Sequence, residues 1–187
     1  DGSLIAFGDR QLRIRYEADA VVLTGALPGG IVTSANRATP EVALFDAAGV
    51  ELARFQAFPQ KQAVRVALGD VNGDGVPDII VGGQAFIRVF DGQTLEMIRE
   101  FRAFGPLYRG GLFVAAGDVT GDGNVAIVVG QALGNRVRIF DADGTMLTMF
   151  QAFALLPRAA GGARLAVANV NGNDRAEIIV GSGSGVP

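Results

Sequence analysis

Residues 70–78 read Asp-Val-Asn-Gly-Asp-Gly-Val-Pro-Asp, and no other stretch constrains the chain as strongly. Side-chain oxygens stand at the first, third, fifth and ninth places, on Asp70, Asn72, Asp74 and Asp78, and Gly75 takes the sixth. A hard cation is held in this way: alternate residues of a tight loop turn their oxygens inward, a backbone carbonyl (here Val76) fills the seventh place, and glycine makes the bend. The pattern recurs at residues 118–126 and 169–177, and each copy runs into an apolar stretch, IIVG at 79–82, IVVG at 127–130 and IIVG at 178–181. Asx-rich loops also close turns by bonding their own backbone. The spacing by itself therefore leaves a metal loop and a metal-free turn both open.

Three other landmarks repeat in the same order. A Phe-Asp pair ends a strand at Phe45-Asp46, Phe90-Asp91 and Phe140-Asp141, and a turn glycine follows at Gly49, Gly92 and Gly144. Each unit then closes on two aromatics, Phe55 and Phe58, Phe101 and Phe104, Phe150 and Phe153. Corresponding positions lie 43 to 52 residues apart, so the chain is an internal repeat. Each full unit predicts four strands, at 63–68, 78–81, 86–90 and 95–101 in one and at 112–116, 126–129, 136–140 and 146–150 in the next. Four antiparallel strands in a period of about 40–50 residues mark a β-propeller blade. The innermost strands are rich in small residues (Ala67, Ala115, Ala116, Ala166, Ala168), as crowding around an axis requires.

The expected fold is all-β, with about three blades' worth of chain and a split blade at the two ends. A half blade covers 31–58, full blades cover 62–104 and 110–153, and a second half blade covers 160–187. The first unit has its last two strands, at 41–45 and 50–55, without a loop ahead of them. The last has its first two, at 164–168 and 177–180. Residues 1–30 stand outside the repeat as a β-rich leader, with strands at 12–16 and 20–24 and a linker at 27–30. Residues 1–24 are similar to the closing segment of β-rich passenger regions in large bacterial surface proteins.

Composition narrows the function. There is no histidine and no cysteine, which removes the commonest general base, the commonest transition-metal ligand and all thiol chemistry. Hydrophobic residues make up 49% of the chain, yet no run approaches the roughly 20 apolar residues of a membrane span. The net charge of −3 argues against a nucleic-acid partner. Lys61 is the one lysine beside fifteen arginines, a bias of the kind a GC-rich genome leaves. The chain begins at Asp1 without a methionine, which suggests a processed or excised piece of a longer protein.

The segment 69–82 followed by Val89-Phe90-Asp91 resembles the FG-GAP/VCBS repeat family, which includes the propeller of integrin α subunits and many bacterial extracellular proteins. The resemblance covers residues 31–187. It implies Ca2+ in the loop between the first two strands of a blade, with Asp70, Asn72, Asp74 and Asp78 as side-chain ligands and the Val76 carbonyl beside them. The second copy keeps Asp118, Thr120 and Asp122, but Ala126 replaces the ninth-place carboxylate. The third places Asn169, Asn171, Asn173 and Glu177 at the oxygen positions, with Asp174 where glycine should be. Affinity follows ligand charge and number, so the first site ranks ahead of the other two. Asp174 is expected to keep the left-handed bend, which Asp tolerates better than most residues.

These features predict a non-catalytic, secreted or cell-surface module, bacterial by resemblance, with a structural or adhesive role. The Phe-Asp acids recur in every unit, whereas a catalytic pair should appear once. The alternative is a carbohydrate-binding propeller, or the propeller portion of a polysaccharide-degrading enzyme. Tyr108 is the single candidate for an exposed sugar platform. Expected partners are further copies of the chain through the two half blades, and cell-surface or matrix glycans or proteins, with no nucleic acid and no membrane insertion. Blade completion between chains would give a closed ring or an open filament; a fragment of a longer array is the third possibility.

Overall fold

The computed structural model describes residues 4–7, 10–17, 20–24, 31–34, 39–153 and 162–183, and these form strands and turns without a helix. The predicted linker at 27–30 lies outside them. The leader forms β1 (Leu4–Phe7), β2 (Arg10–Glu17) and β3 (Ala20–Thr24), a three-stranded antiparallel sheet. The first repeat unit forms β4 (Ile31–Ser34), β5 (Glu41–Phe45) and β6 (Glu51–Gln56). The second is β7 (Arg65–Gly69), β8 (Asp78–Gly82), β9 (Phe86–Phe90) and β10 (Met97–Arg102). The third is β11 (Leu112–Gly117), β12 (Ala126–Gln131), β13 (Arg136–Phe140) and β14 (Met146–Gln151). The last is β15 (Ala163–Ala168) and β16 (Glu177–Ser182). The second and third units are four-stranded antiparallel sheets in sequential order, each a propeller-type blade.

One strand was missed by the sequence reading. The first unit has three strands, because β4 pairs with β5 in the register Ile31↔Phe45. That register repeats Ile79↔Phe90 and Ile127↔Phe140, so β4 holds the place of a blade's second strand. Among the described residues the two end units therefore hold five strands between them, one more than a four-stranded blade.

The apolar patterns explain which faces are covered. In β9 and β13, Ile87, Val89, Val137 and Ile139 are buried and arginines stand between them. The second strands β8 and β12 are buried almost throughout, which is why they read as unbroken apolar runs. The core lies between blades. Val42, Ala57 and Phe58 of the first unit meet Val64, Ile79, Val81 and Phe90 of the second. Ile80, Ile87 and Val89 meet Leu112, Val114, Ile127 and Val129 in the same way. Each fully buried aliphatic side chain contributes about 1.5–3 kcal/mol. Gly130 is required at one such contact, where a Cβ would run into the Ala163 carbonyl of the next unit.

Each outer hairpin carries a β-bulge at the same place, with Leu52, Ile98 and Leu147 as the extra residue. The bulge follows the Phe-Asp turn. Asp46 Oδ1 accepts from the backbone N–H groups of Ala48 and Val50, and Asp141 Oδ1 from those of Asp143 and Thr145. These are Asx-type turns that fix the hairpin from its first residue. Gly49 and Gly144 supply the left-handed residue at φ 80° and 82°. In the second unit Leu95 takes a left-handed conformation instead, at φ 60°.

Candidate metal centre

The first loop joins β7 to β8 and is closed largely by its own carboxylates. Asp70 Oδ1 accepts from the N–H of Gly73 at 2.7 Å and of Asp74 at 3.1 Å, and Oδ2 from that of Gly75 at 2.8 Å. Asn72 Oδ1 accepts from Asp74 N–H, and Asp74 Oδ1 from Val76 N–H. Asp78 is the one fully buried charged side chain among the described residues. Its Oδ2 accepts from Val71 and Asn72 N–H, and its Oδ1 from Gly92 N–H at 3.0 Å. Burial pushes its carboxyl above the usual range, and these three donors oppose the shift. Asp78 thus ties the loop to the Phe-Asp turn. Gly92 is needed there, because a Cβ would strike the Pro77 carbonyl.

Two residues outside the loop complete the first centre, and the spacing of the loop gave no sign of them. Asn72 Nδ2 lies 3.3 Å from Asp74 Oδ2, 3.4 Å from Asp78 Oδ1 and 3.0 Å from Asp91 Oδ2. Gln93 Nε2 donates to Asp74 Oδ2 at 2.8 Å. Three acids thus converge on one amide, whose two hydrogens cannot serve all three. Among the described residues no three acidic side chains stand close enough together to hold a metal ion. The donor set is nonetheless all hard oxygen, the chemistry that suits Ca2+. The residues of this loop that would hold the ion are Asp70, Asn72, Asp74, Asp78 and the Val76 carbonyl.

The second loop keeps the same turn with fewer acids. Asp118 Oδ1 accepts from Gly121 N–H at 2.6 Å and Oδ2 from Gly123 N–H at 2.8 Å, while the Thr120 hydroxyl donates to Oδ1. Desolvation works against ionisation of Asp118, and the donors led by Gly123 and Gly121 outweigh it, holding its carboxyl below the usual range. The Asn124 N–H, which donates to Asp122 Oδ1 at 2.9 Å, leads the hydrogen bonds that lower Asp122 as well. A cation already stands beside this loop, since Arg175 Nε donates to the Thr120 carbonyl at 2.8 Å.

The third loop takes another route. Glu177 accepts from Val170 N–H and from Asn171 Nδ2, and Asn169 Nδ2 donates to the Asn173 carbonyl. Asp174 does not adopt the left-handed bend expected of it; among the described residues Leu95 alone does so without being glycine. The fourth place is what all three loops share, with Gly73, Gly121 and Gly172 at φ 77–78°.

Tyr108 is not an exposed platform. Its ring packs on Phe104 with centroids 5.2 Å apart, and its hydroxyl donates to the Gly111 carbonyl and accepts from Leu133 N–H.

The fold and the loops together define a β-propeller-type repeat module with oxygen-lined loops between the first and second strands of its blades. Residues 63–94, which contain the first loop, are an FG-GAP repeat by match to that family's model. No curated protein sequence matches the chain. Among solved structures the chain is similar to an exotype rhamnogalacturonan lyase, YesX, with a TM-score of 0.52 and 16% sequence identity. The likeness covers 97% of this chain and 41% of that one, and at this identity it shows the fold.

Proposed function

We propose that the chain is a non-catalytic extracellular module, stabilised by calcium in its first loop, with a structural or adhesive role. The observation that carries this reading is the convergence of Asp74, Asp78 and Asp91 on the amide of Asn72. Acids gathered in this way repel one another, and a divalent cation that binds only the folded state relieves the repulsion and adds stability by mass action. FG-GAP repeats are typical of extracellular proteins, and among the described residues no helix is long and apolar enough to cross a membrane. The test is thermal unfolding with calcium and with chelator. Calcium raises the melting temperature, Asp74→Ala removes most of the shift, and Asp122→Ala removes much less. Equal losses from both variants contradict the ranking, and no shift in the parent chain contradicts the reading.

Self-association by blade completion belongs to the same proposal, with a requirement the sequence did not reveal. For β16 of one copy to pair with β5 of another, β4 has to leave its place on β5. A mass measurement in calcium buffer checks this. Oligomers that persist when residues 31–34 are tied to β5 by an engineered disulfide rule the exchange out.

A further inference from the structure

The acidic loops gather at one end of the blades, and the other end is cationic. Arg65 and Arg164 stand at the starts of β7 and β15, the inner strands that flank β11, and both guanidinium groups lie over the Phe113 ring of β11, 4.2 and 5.9 Å from its centroid. Neither is paired with a carboxylate among the described residues. Burial and the charge of Arg164 hold the pKa of Arg65 below its usual value. At the same end, a groove of about 340 Å³ opens between the segment after β6, the β8–β9 turn and Arg109. Its one acid among the described residues, Glu100, is already paired with Arg88 at 2.6 Å. Lys61 and Arg109 therefore stand uncompensated on its walls. Two backbone carbonyls, those of Pro106 and Tyr108, hold Arg109 Nη1 in place.

The rest of the lining is amide-rich. Gln60 and Gln84 are exposed, and Gln62 Oε1 accepts from Gln84 N–H at 2.7 Å, which leaves its Nε2 free to donate. Such a wall offers donors and acceptors to hydroxyl groups and two cations to a carboxylate. A nucleic acid fits poorly. Of the groove's aromatic rings, Phe58 is buried and Phe86 carries Arg102 on one face, which leaves little ring surface on which a base could stack.

We propose that this groove binds an acidic saccharide of the uronate type, with Lys61 and Arg109 on its carboxylates and the glutamines on its hydroxyls. The proposal supplies the ligand class that the adhesive reading leaves open. It rests on that reading only in taking the module to be a binder, since the groove lies at the end away from the loops. The test is calorimetric titration of the whole chain with a short oligogalacturonate. A neutral maltooligosaccharide and an oligothymidylate of equal charge serve as comparators, and each titration is run in calcium and in chelator. The oligogalacturonate binds in calcium and the maltooligosaccharide does not. Lys61→Glu, an exposed change with no partner to lose, weakens binding by at least roughly tenfold, and so does Arg109→Gln. Unchanged binding by Lys61→Glu, equal binding of the neutral sugar, or equal binding of the oligothymidylate overturns the assignment. A calcium-dependent melting shift without saccharide binding sinks this inference and leaves the scaffold reading intact; binding without the shift does the reverse.

Discussion

Arg88 lies over the ring of Phe58, 4.6 Å from its centroid, and its Nη1 donates to the Ala57 carbonyl at 2.8 Å. The arginine belongs to the third strand of one blade and the phenylalanine to the end of the blade before. The next junction repeats the contact, with Arg138 over Phe104 at 5.0 Å and its Nη1 on the Ala103 carbonyl. The two full blades are thus each clasped to the unit before by a planar cation that stacks and donates at once. Lysine cannot do both. Arg88→Lys is expected to lower unfolding stability by about 1–2 kcal/mol, measured by denaturant titration, with little change in secondary structure. A loss no larger than that of an exposed control such as Arg99→Lys would show that the clasp is ornamental.

The paired aromatics should divide by position. Phe55 packs on Phe90 and Phe101 on Phe140, with centroids 4.8 and 4.9 Å apart, while Phe58 and Phe104 are buried. Phe150 is 38% exposed. Phe104→Ala should therefore cost about 3–5 kcal/mol, and Phe150→Ala far less. Equal costs would mean that another surface covers Phe150 in solution.

Gly130→Ala should destabilise by about 1–3 kcal/mol, because the added methyl meets a backbone carbonyl that cannot rotate away. Gly105→Ala, which meets nothing nearby, is the control. A well-tolerated Gly130→Ala would show that the third and fourth units are packed less closely than described.

Burial raises the pKa of Tyr108, with hydrogen bonds opposing it. The folded chain then keeps its phenol protonated at a pH where the unfolded chain has begun to lose the proton. Stability consequently falls as pH rises above about 10, the usual tyrosine value, toward the raised one. Tyr108→Phe should flatten that fall while costing about 1 kcal/mol at neutral pH through the lost hydroxyl contacts. An unchanged alkaline slope would place the titrating group elsewhere.

The blades were legible because two codes coincide in the sequence. Oxygen spacing marks the loop, and the Phe-Asp pair marks the far hairpin, so strands such as β9 and β13 could be bounded to the residue. What escaped had no local signature. Ile31–Ser34 shares the apolar character of Ile79–Gly82 but ends in Ser34 where the others end in glycine, and no loop precedes it to raise attention. Arg88 and Arg138 alternate with apolar residues along β9 and β13, and nothing in that alternation shows that each covers a ring of the neighbouring blade. Asp91 and Gln93 reach the first loop from 19 residues away, a closure that only the folded sheet defines. Tyr108 looked free because its partners, Phe104, Gly111 and Leu133, meet it through turns rather than through a periodic pattern.

The left-handed glycine at the fourth place of every loop has a consequence for how such repeats diverge. Gly73, Gly121 and Gly172 hold nearly the same angle whether the ninth residue is Asp78, Ala126 or Glu177. The turn keeps its shape because the first-place side chain, Asp70, Asp118 or Asn169, accepts from that glycine's N–H in every loop, while the ninth side chain varies. A lineage can then change the ninth side chain by single substitutions, with the blade still closing at each step.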